Sequence, residues 1–172
     1  QSFPSKYYKE YLATTDQTVR QMIRNLDIKN GPLSFSGFYD KGVFRFVDPS
    51  FRMGGAQDWR IVEKTTGVDI SACLTSFAIT GSMCDKDNIK RIDGKFADMY
   101  SSIMYYLVKP GRIGKITGLE DILGVESVIG YHNNHVEGDA ITREGTSDHV
   151  AVRILLVADS KAEIEKSAQK IS

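Results

Sequence analysis

FRFVDPSFRMGG, residues 44–55, passes from an apolar strand pattern into an acid, a hydroxyl and an arginine, each two residues apart, and then into two glycines. Because residues two apart on a strand point to the same face, Asp48, Ser50 and Arg52 are expected to face one small volume. An acid suits a hard cation such as Mg²⁺, and an arginine fork suits a phosphate. The glycine pair lets the backbone approach a ligand closely. The segment therefore predicts a metal and phosphate site for nucleotide chemistry.

The same residues also fit a purely structural interpretation. Asp-Pro followed by Ser and then by Gly-Gly is ordinary chemistry for a turn at a strand end. The composition and the order of the surrounding elements are needed to choose between a site and a turn.

The composition excludes several classes of protein. The chain has 172 residues, with 22 acidic and 22 basic side chains, so its formal net charge is zero. It has no basic stripe interleaved with aromatics, which argues against nucleic-acid binding, and no apolar run long enough to span a membrane. The two cysteines form no dense disulfide framework. A cytoplasmic protein of one domain, or of two small ones, is expected.

The first half of the chain alternates helical and strand patterns. Thr14 and Gln17 fit a capping box that opens a helix with an apolar stripe, and Asn-Gly-Pro at 30–32 ends it. A hairpin is predicted from strands 33–39 and 43–47, joined by a tight turn at 40–42. Two further helices are predicted over 56–66 and 69–80, each ended by a glycine, and Cys73 is expected to be a buried, inert thiol.

The second half predicts a small sheet with a final helix. Val150–Ala158 is strongly apolar and should be a central strand, and Ser160 with Glu163 fits a capping box for the last helix. The fold class is therefore α+β, with domains 1–99 and 100–172. The remaining predicted elements are a strand at 100–108, a hairpin through Pro110 and Gly111 into 112–117, a helical turn at 119–123 and a strand at 127–132.

Three other patterns suggest sites, and each has a simpler structural interpretation. The glycines and cations of residues 111–115 resemble a phosphate loop but lack its full spacing, so a hairpin is preferred. The three histidines lack a further metal ligand and fit a solvated loop better. The loosely spaced acids do not fit a calcium loop and indicate a solvated face. These side chains are His132, His135, His149, Asp85, Asp87, Asp93 and Asp98.

The order of motifs resembles the C-terminal half of the ATP-grasp superfamily, in the branch similar to biotin carboxylase and the large subunit of carbamoyl phosphate synthase. The order is helix, Asn-Gly-Pro, hairpin, acid-x-Ser-x-Arg-x-Gly-Gly, helix and Thr-Gly-Val-Asp. The later pieces Lys-Pro-Gly-Arg-Ile at 109–113, Glu-Gly-Asp at 137–139 and Ala-Asp-Ser at 158–160 also match. The resemblance covers roughly residues 14–172 and implies that fold, followed by a small mixed α/β unit.

The resemblance assigns roles to the opening segment. It implies that Asp48 is the acid that holds Mg²⁺ on the phosphates of ATP, that Ser50 is a weaker metal ligand, and that Arg52 is a catalytic arginine for phosphate or substrate. Gly54 and Gly55 would lie against the bound ATP. The implied chemistry activates a small carboxylate as an acyl phosphate, which an amine or similar nucleophile then attacks.

Two departures and one absence qualify these roles. The family usually has another metal acid on the first hairpin strand, where residues 35–37 here are Phe, Ser and Gly, and it has Asn where Ser50 stands. The family's upstream portion, which supplies lysines and a flexible loop for ATP, is the predicted missing N-terminal half. The isolated chain is therefore expected to bind ATP weakly or not at all, and association into a homo-oligomer is also considered. The alternative is a non-catalytic interaction or structural module that kept the fold.

Overall fold

The computed structural model describes residues 2–83, 85, 87, 88, 90, 92 and 98–172. Cys84, Asp93 and residues 95–97, on which some of the expectations fall, lie outside this set. The chain divides into two compact units. The hairpin unit comprises residues 4–94, and the sheet unit comprises residues 1–3 together with 95–172.

Most of the described strands and helices lie where they were predicted, whereas the elements at Ser2–Phe3, Tyr8–Thr14 and Ala140–Ile141 were not predicted. The strands are β1 (Ser2–Phe3), β2 (Ser34–Asp40), β3 (Val43–Ser50), β4 (Tyr100–Leu107), β5 (Gly111–Arg112), β6 (Val128–Asn133), β7 (Ala140–Ile141) and β8 (Val150–Ala158). The helices are α1 (Tyr8–Thr14), α2 (Asp16–Asn25), α3 (Asp58–Thr66), α4 (Ile70–Thr80), α5 (Leu119–Ile122) and α6 (Lys161–Ile171), with a 3₁₀ turn at Ser147–His149.

The predicted hairpin is confirmed, and it is the element that carries the candidate site. β2 and β3 pair antiparallel from Asp40 and Val43 at the turn to Ser34 and Ser50 at the open end. The two turn residues, Lys41 and Gly42, both have positive φ, 46° and 83°. Positive φ at both positions is what a two-residue turn needs to match the twist of its strands.

The two helices after the hairpin form as predicted and make the core of the hairpin unit. The Asp69 carboxylate caps α4 by accepting from the Ala72 amide at 2.9 Å. Glycines in the left-handed region end both helices, with φ 71° at Gly67 and 75° at Gly81. Cys73 is buried in a cluster with Val68 and Ile70, which confirms its predicted burial.

The predicted capping box at Thr14 is wrong. Residues 8–14 form a helix of their own, α1, and the Thr14 hydroxyl donates back to the Glu10 carbonyl at 2.7 Å. α2 begins at Asp16 behind Thr15, and it has no side-chain cap. The sequence pattern placed the N-cap one residue too early, at Thr14 instead of Thr15, because the residues of α1 show no clear apolar period.

The sheet unit is built around β8, as its apolar sequence predicted. The strand order is β1-β4-β8-β6, and every described pairing is antiparallel. Eight of the nine β8 residues are buried, and Leu155 and Leu156 are fully enclosed. The Ser160 hydroxyl caps α6 by accepting from the Glu163 amide at 3.2 Å, so the second predicted capping box is confirmed on that bond.

The predicted hairpin through Pro110 and Gly111 is wrong. β5 pairs with β7 and not with β4, with Gly111 opposite Ile141 and Arg112 opposite Ala140. The Arg112 guanidinium also donates to the Gly138 carbonyl at 3.0 Å. These backbone and side-chain bonds hold residues 111–113 against the 136–141 loop.

No helix among the described residues is long and apolar enough to cross a membrane.

Candidate functional site

Asp48 and Ser50 lie together near the open end of the hairpin. Both belong to β3, and the Ser50 hydroxyl donates to Asp48 Oδ1 at 3.2 Å. Asp48 is exposed and Ser50 is partly exposed. The structure therefore brings these two predicted residues together and leaves the carboxylate open to solvent.

A β-bulge decides which face of the hairpin Asp48 occupies. Ser36 pairs with Asp48, whereas the next residue of β2, Gly37, pairs with Phe46, so Val47 is the extra residue. Such an extra residue shifts the alternation of the strand by one. As a result Asp48 lies on the opposite face from Phe46, although the two are an even number of residues apart.

The face that Asp48 leaves is apolar. The rings of Phe35 and Phe46 lie 5.5 Å apart, between centroids. A groove between α2 and the hairpin is lined by aromatic and apolar side chains from both, among them Val19, Phe35, Phe44, Phe46 and Pro49. The hairpin thus turns one face toward the groove that it shares with α2 and presents the other face, with Asp48, away from that groove.

The Asp48 face is lined by hydroxyls. Ser36 stands directly across from Asp48, and Ser34 stands across from Ser50. The Ser34 hydroxyl donates to the Ser50 carbonyl at 3.4 Å. Ser36 falls in the stretch where the resemblance implies a first metal acid, so in this chain a hydroxyl occupies that place opposite the carboxylate.

Arg52 does not continue the row of Asp48 and Ser50. β3 ends at Ser50, and Arg52 lies in the bend that follows. Its guanidinium Nη1 donates to the Met53 carbonyl at 3.0 Å, and the side chain is exposed. Among the described residues no ion pair joins Arg52 to Asp48. The expectation that all three side chains share one strand face is therefore wrong for Arg52, because the alternation ends with the strand.

The bend that carries Arg52 is anchored by the residue before it. The Phe51 ring packs edge-on against Phe77 of α4, with centroids 6.0 Å apart. On another side it lies so close to Gly31 that a Cβ there would come within 2.3 Å of the ring. Gly31 has φ 111°, so both its space and its backbone require glycine. The path of the chain between Ser50 and Arg52 is thus set by Phe51.

Asn30 ties the loop that holds Phe51 to the end of α4. Its Nδ2 donates to the Gly81 carbonyl and to the Ser82 hydroxyl, each at 3.3 Å. Its Oδ1 accepts from the amides of Gly31 at 3.0 Å and Met83 at 3.1 Å. All the hydrogen-bonding capacity of the side-chain amide is therefore used inside the hairpin unit.

We expect Asn30→Ala to lower the free energy of unfolding by about 1–3 kcal/mol, because two partly buried backbone amides lose their acceptor. Urea unfolding followed by the fluorescence of Trp59, the single tryptophan, measures this change, since Trp59 packs on the core of the same unit. Gln21→Ala is the control, because it removes only an exposed bond to Asn25. Equal unfolding curves for the two variants would contradict the role of Asn30 as a clamp.

The glycine pair has two different environments. A Cβ on Gly54 would lie 2.7 Å from Asp58 Oδ2, whereas a Cβ on Gly55 would meet nothing within 4 Å. Asp58 is the first residue of α3 and follows Gln57, which has φ 60°. Gly54 therefore leaves room for the Asp58 carboxylate, and Gly55 faces open space.

Asp58 is a candidate site residue that the sequence analysis missed. Its Oδ1 is enclosed and accepts no hydrogen bond from any residue that the structure describes. An enclosed carboxylate oxygen without a donor is costly, and such groups often contact an ion, a water or a ligand. The available signal was an acid in the first turn of a helix that begins shortly after a glycine pair.

Two of the three histidines, His135 and His149, contact the loop that precedes β8. His135 Nε2 lies 2.6 Å from the Asp148 carbonyl, and its Nδ1 lies 3.3 Å from Asp139 Oδ2. His149 Nδ1 accepts from the Gly145 amide at 3.1 Å. Over the described part of the chain, no group of three or more His, Cys, Asp or Glu side chains is arranged to hold a metal ion.

Comparison with known proteins identifies the fold. No family model and no curated protein matches the chain. Among solved structures, the L-amino acid ligase from Bacillus licheniformis matches with a TM-score of 0.79 and 20% identity, over 99% of this chain and 41% of that one. The phosphoribosylglycinamide synthetase from Anaerococcus prevotii matches with a TM-score of 0.70 and 13% identity, over 99% of this chain and 42% of that one.

At these identities the likeness concerns the fold. The chain spans about two fifths of the length of each neighbour, 41% and 42%. The fold is α+β with antiparallel sheets and helices, as the sequence predicted. The chain therefore has the fold of the matching part of these two enzymes.

Proposed function

We propose that this chain contributes the metal and phosphate face of the ATP site in an ATP-dependent ligase. The ligase activates a carboxylate as an acyl phosphate, and an amine or similar nucleophile then attacks it. The observation that carries the proposal is the Asp48–Ser50 pair on a hairpin, with its carboxylate exposed, in a chain that matches an L-amino acid ligase and a phosphoribosylglycinamide synthetase over 99% of its length. We also propose that this ligase resembles biotin carboxylase and the large subunit of carbamoyl phosphate synthase.

The residues of the Asp48 face fit Mg²⁺ that is held mainly by phosphate oxygens. Asp48 offers an exposed carboxylate, and Ser50 and Ser36 offer hydroxyl oxygens beside it. Mg²⁺ commonly keeps several waters and binds through one or two carboxylates plus substrate phosphates. Asp48 and Ser50 would hold the ion, which would neutralise charge on the phosphates of ATP.

Arg52 and the glycine pair, which follow β3 along the chain, would supply further contacts to the phosphates. The Arg52 guanidinium is exposed at the end of the bend and uses Nη1 on the Met53 carbonyl, which leaves further N–H donors for a phosphate or acyl phosphate. Preorganised donors of this kind stabilise the charge that develops on a transferred phosphoryl group. Gly55, with open space where a Cβ would stand, allows the backbone to approach the ligand.

A second portion of the fold completes the site in this proposal. The two solved neighbours have more than half of their length outside the match, since the chain covers 41% and 42% of them. Phe38 and Val47 of the hairpin are 68% and 61% exposed, as expected for surface that another part of a protein covers. The proposed partners are therefore ATP, a small carboxylate and this second portion, in a cytoplasmic enzyme.

The alternative function is a non-catalytic module derived from the same fold. Ser36 stands where the resemblance implies a metal acid, and Ser50 stands where it implies Asn. A hydroxyl is a weaker magnesium ligand than a carboxylate or an amide carbonyl. These two positions favour the alternative, whereas Asp48, Arg52 and the glycine pair favour the enzyme.

Trapping with hydroxylamine separates the two functions. The complete enzyme is incubated with MgATP, hydroxylamine and a panel of common amino acids, since one neighbour is an L-amino acid ligase. We expect ADP and a hydroxamate of at least one acid, because hydroxylamine captures acyl phosphates. A folded protein that forms no hydroxamate with any acid of the panel, and releases no ADP, would support the non-catalytic module.

A further inference from the structure

We infer that Arg45 is a further phosphate-binding residue of the proposed ATP site. This inference rests on the proposed function and adds a residue that neither the motif nor the resemblance assigns. It follows from the face of the hairpin on which Arg45 lies, from its freedom to bind, and from its distance to Asp48.

The bulge places Arg45 and Asp48 on the same face. Phe44 and Phe46 both line the groove against α2, so Arg45, which lies between them on β3, points to the other face. Asp48 also points to that other face because Val47 is the extra residue of the bulge. Unbroken alternation would have put Arg45 and Asp48, three residues apart, on opposite faces.

The Arg45 side chain is not held by any of the residues that the structure describes. Its side chain is exposed, and among the described residues it forms no hydrogen bond or ion pair. Asp48 likewise forms no ion pair there, and it accepts only the Ser50 hydroxyl. Opposite charges on one face that do not pair with each other both stay available to a ligand that carries a metal and phosphates.

The distance between Arg45 and Asp48 along β3 suits a ligand with several phosphates. On β2, the partners of Arg45 and Asp48 are Phe38 and Ser36. These two partners are separated by a single residue, Gly37. At roughly 3.4 Å per step, the backbones of Arg45 and Asp48 are about 7 Å apart along the strand. A metal-bound phosphate at Asp48 would leave a neighbouring phosphate within reach of the long Arg45 side chain. A guanidinium binds phosphate oxygens in a bidentate manner.

Arg45 could also compensate for the lack of a second metal-binding acid by contacting phosphate directly. With a hydroxyl at Ser36 in place of an acid, the Asp48 face holds one carboxylate beside one guanidinium. This balance is less negative than a face with two acids, so it favours direct contact between protein cations and phosphate over binding through the metal alone.

The test measures binding of two probes, MgATP and adenosine, to the complete enzyme by calorimetry. We expect Arg45→Ala to weaken MgATP binding about 10- to 100-fold, as for the loss of a charged hydrogen bond. Adenosine, which has no phosphate, should bind within about twofold of wild type, and Arg45→Lys should restore part of the MgATP affinity. Lys41→Ala, which removes the exposed cation at the hairpin turn, is the matched control.

The outcomes separate this inference from the proposed function. If wild type binds MgATP and Arg45→Ala behaves like Lys41→Ala, the inference on Arg45 is wrong and the proposed function stands. Equal losses of affinity for MgATP and for adenosine would also overturn it, because the loss of a phosphate contact cannot weaken the binding of adenosine. If wild type binds no MgATP, the proposed function and this inference fail together.

Discussion

Asp48→Asn is expected to lower ATP turnover by the complete enzyme about 100-fold or more, the loss typical of removing one preorganised charge-stabilising group. The amide keeps the shape of the side chain and an oxygen that can accept from the Ser50 hydroxyl. It loses the negative charge with which the exposed carboxylate would hold Mg²⁺ on the phosphates. The measurement is steady-state ADP release in the presence of the carboxylate and the amine.

Asp40→Asn provides the matched control for that experiment. Asp40 is an exposed acid of the same hairpin and pairs with Val43 beside the turn, at the far end from Ser50. The control should keep turnover within about twofold of wild type, since surface changes away from such features have small effects. Arg52→Ala, tested in parallel, should also lose activity. If turnover survived both Asp48→Asn and Arg52→Ala, the assignment of this face to ATP chemistry would be wrong.

Gly37→Ala is expected to have the second largest effect, because it acts on the bulge that orients Asp48. A Cβ on Gly37 would lie 2.5 Å from the Arg45 carbonyl oxygen, which is backbone and cannot move aside alone. Overpacking of this kind costs about 1–3 kcal/mol of folding free energy. If the strands relieve it by losing the bulge, a slip of one residue turns Asp48 toward the apolar face. We therefore expect both lower stability and at least about a tenfold loss in MgATP affinity, which corresponds to about 1.4 kcal/mol.

Urea unfolding and MgATP calorimetry on the same protein samples test the role of the bulge. Gly114→Ala is the control, since a Cβ there meets nothing within 4 Å and Gly114 is not among the glycines with positive φ. Unchanged MgATP affinity in a folded Gly37→Ala protein would contradict the claim that the bulge sets the orientation of Asp48. A loss of stability alone, with full affinity, would leave Gly37 only a packing role.

The elements that the sequence predicted well are those whose signal is local. The unbroken apolar run of β8 identified a central strand, and the Ser160 hydroxyl caps α6 as its spacing predicted. The hairpin was predictable because Gly42 readily adopts the positive φ that a tight turn needs. Asp48 and Ser50, two apart on one strand, were correctly expected to lie side by side.

The features that the sequence did not reveal depend on pairing partners. A bulge is a relation between two strands, so Val47 carries no sign of it, and only the close approach of Arg45 to Gly37 explains why a glycine stands there. Arg52 left the predicted face because Phe51 packs on Phe77, a contact with a helix far along the chain. β5 pairs with β7 for the same kind of reason, since the 136–141 loop offers its backbone to residues 111–113.

The most direct test of the proposed acyl phosphate chemistry follows an oxygen atom. The complete enzyme is given MgATP, the amine and a substrate whose carboxylate oxygens are ¹⁸O, and the inorganic phosphate is analysed by mass spectrometry. When the amine attacks an acyl phosphate, the bridging oxygen leaves with the phosphate, so we predict one ¹⁸O in each phosphate formed with wild type, and little product with Asp48→Asn. Unlabelled phosphate, or AMP and pyrophosphate as products, would contradict the account.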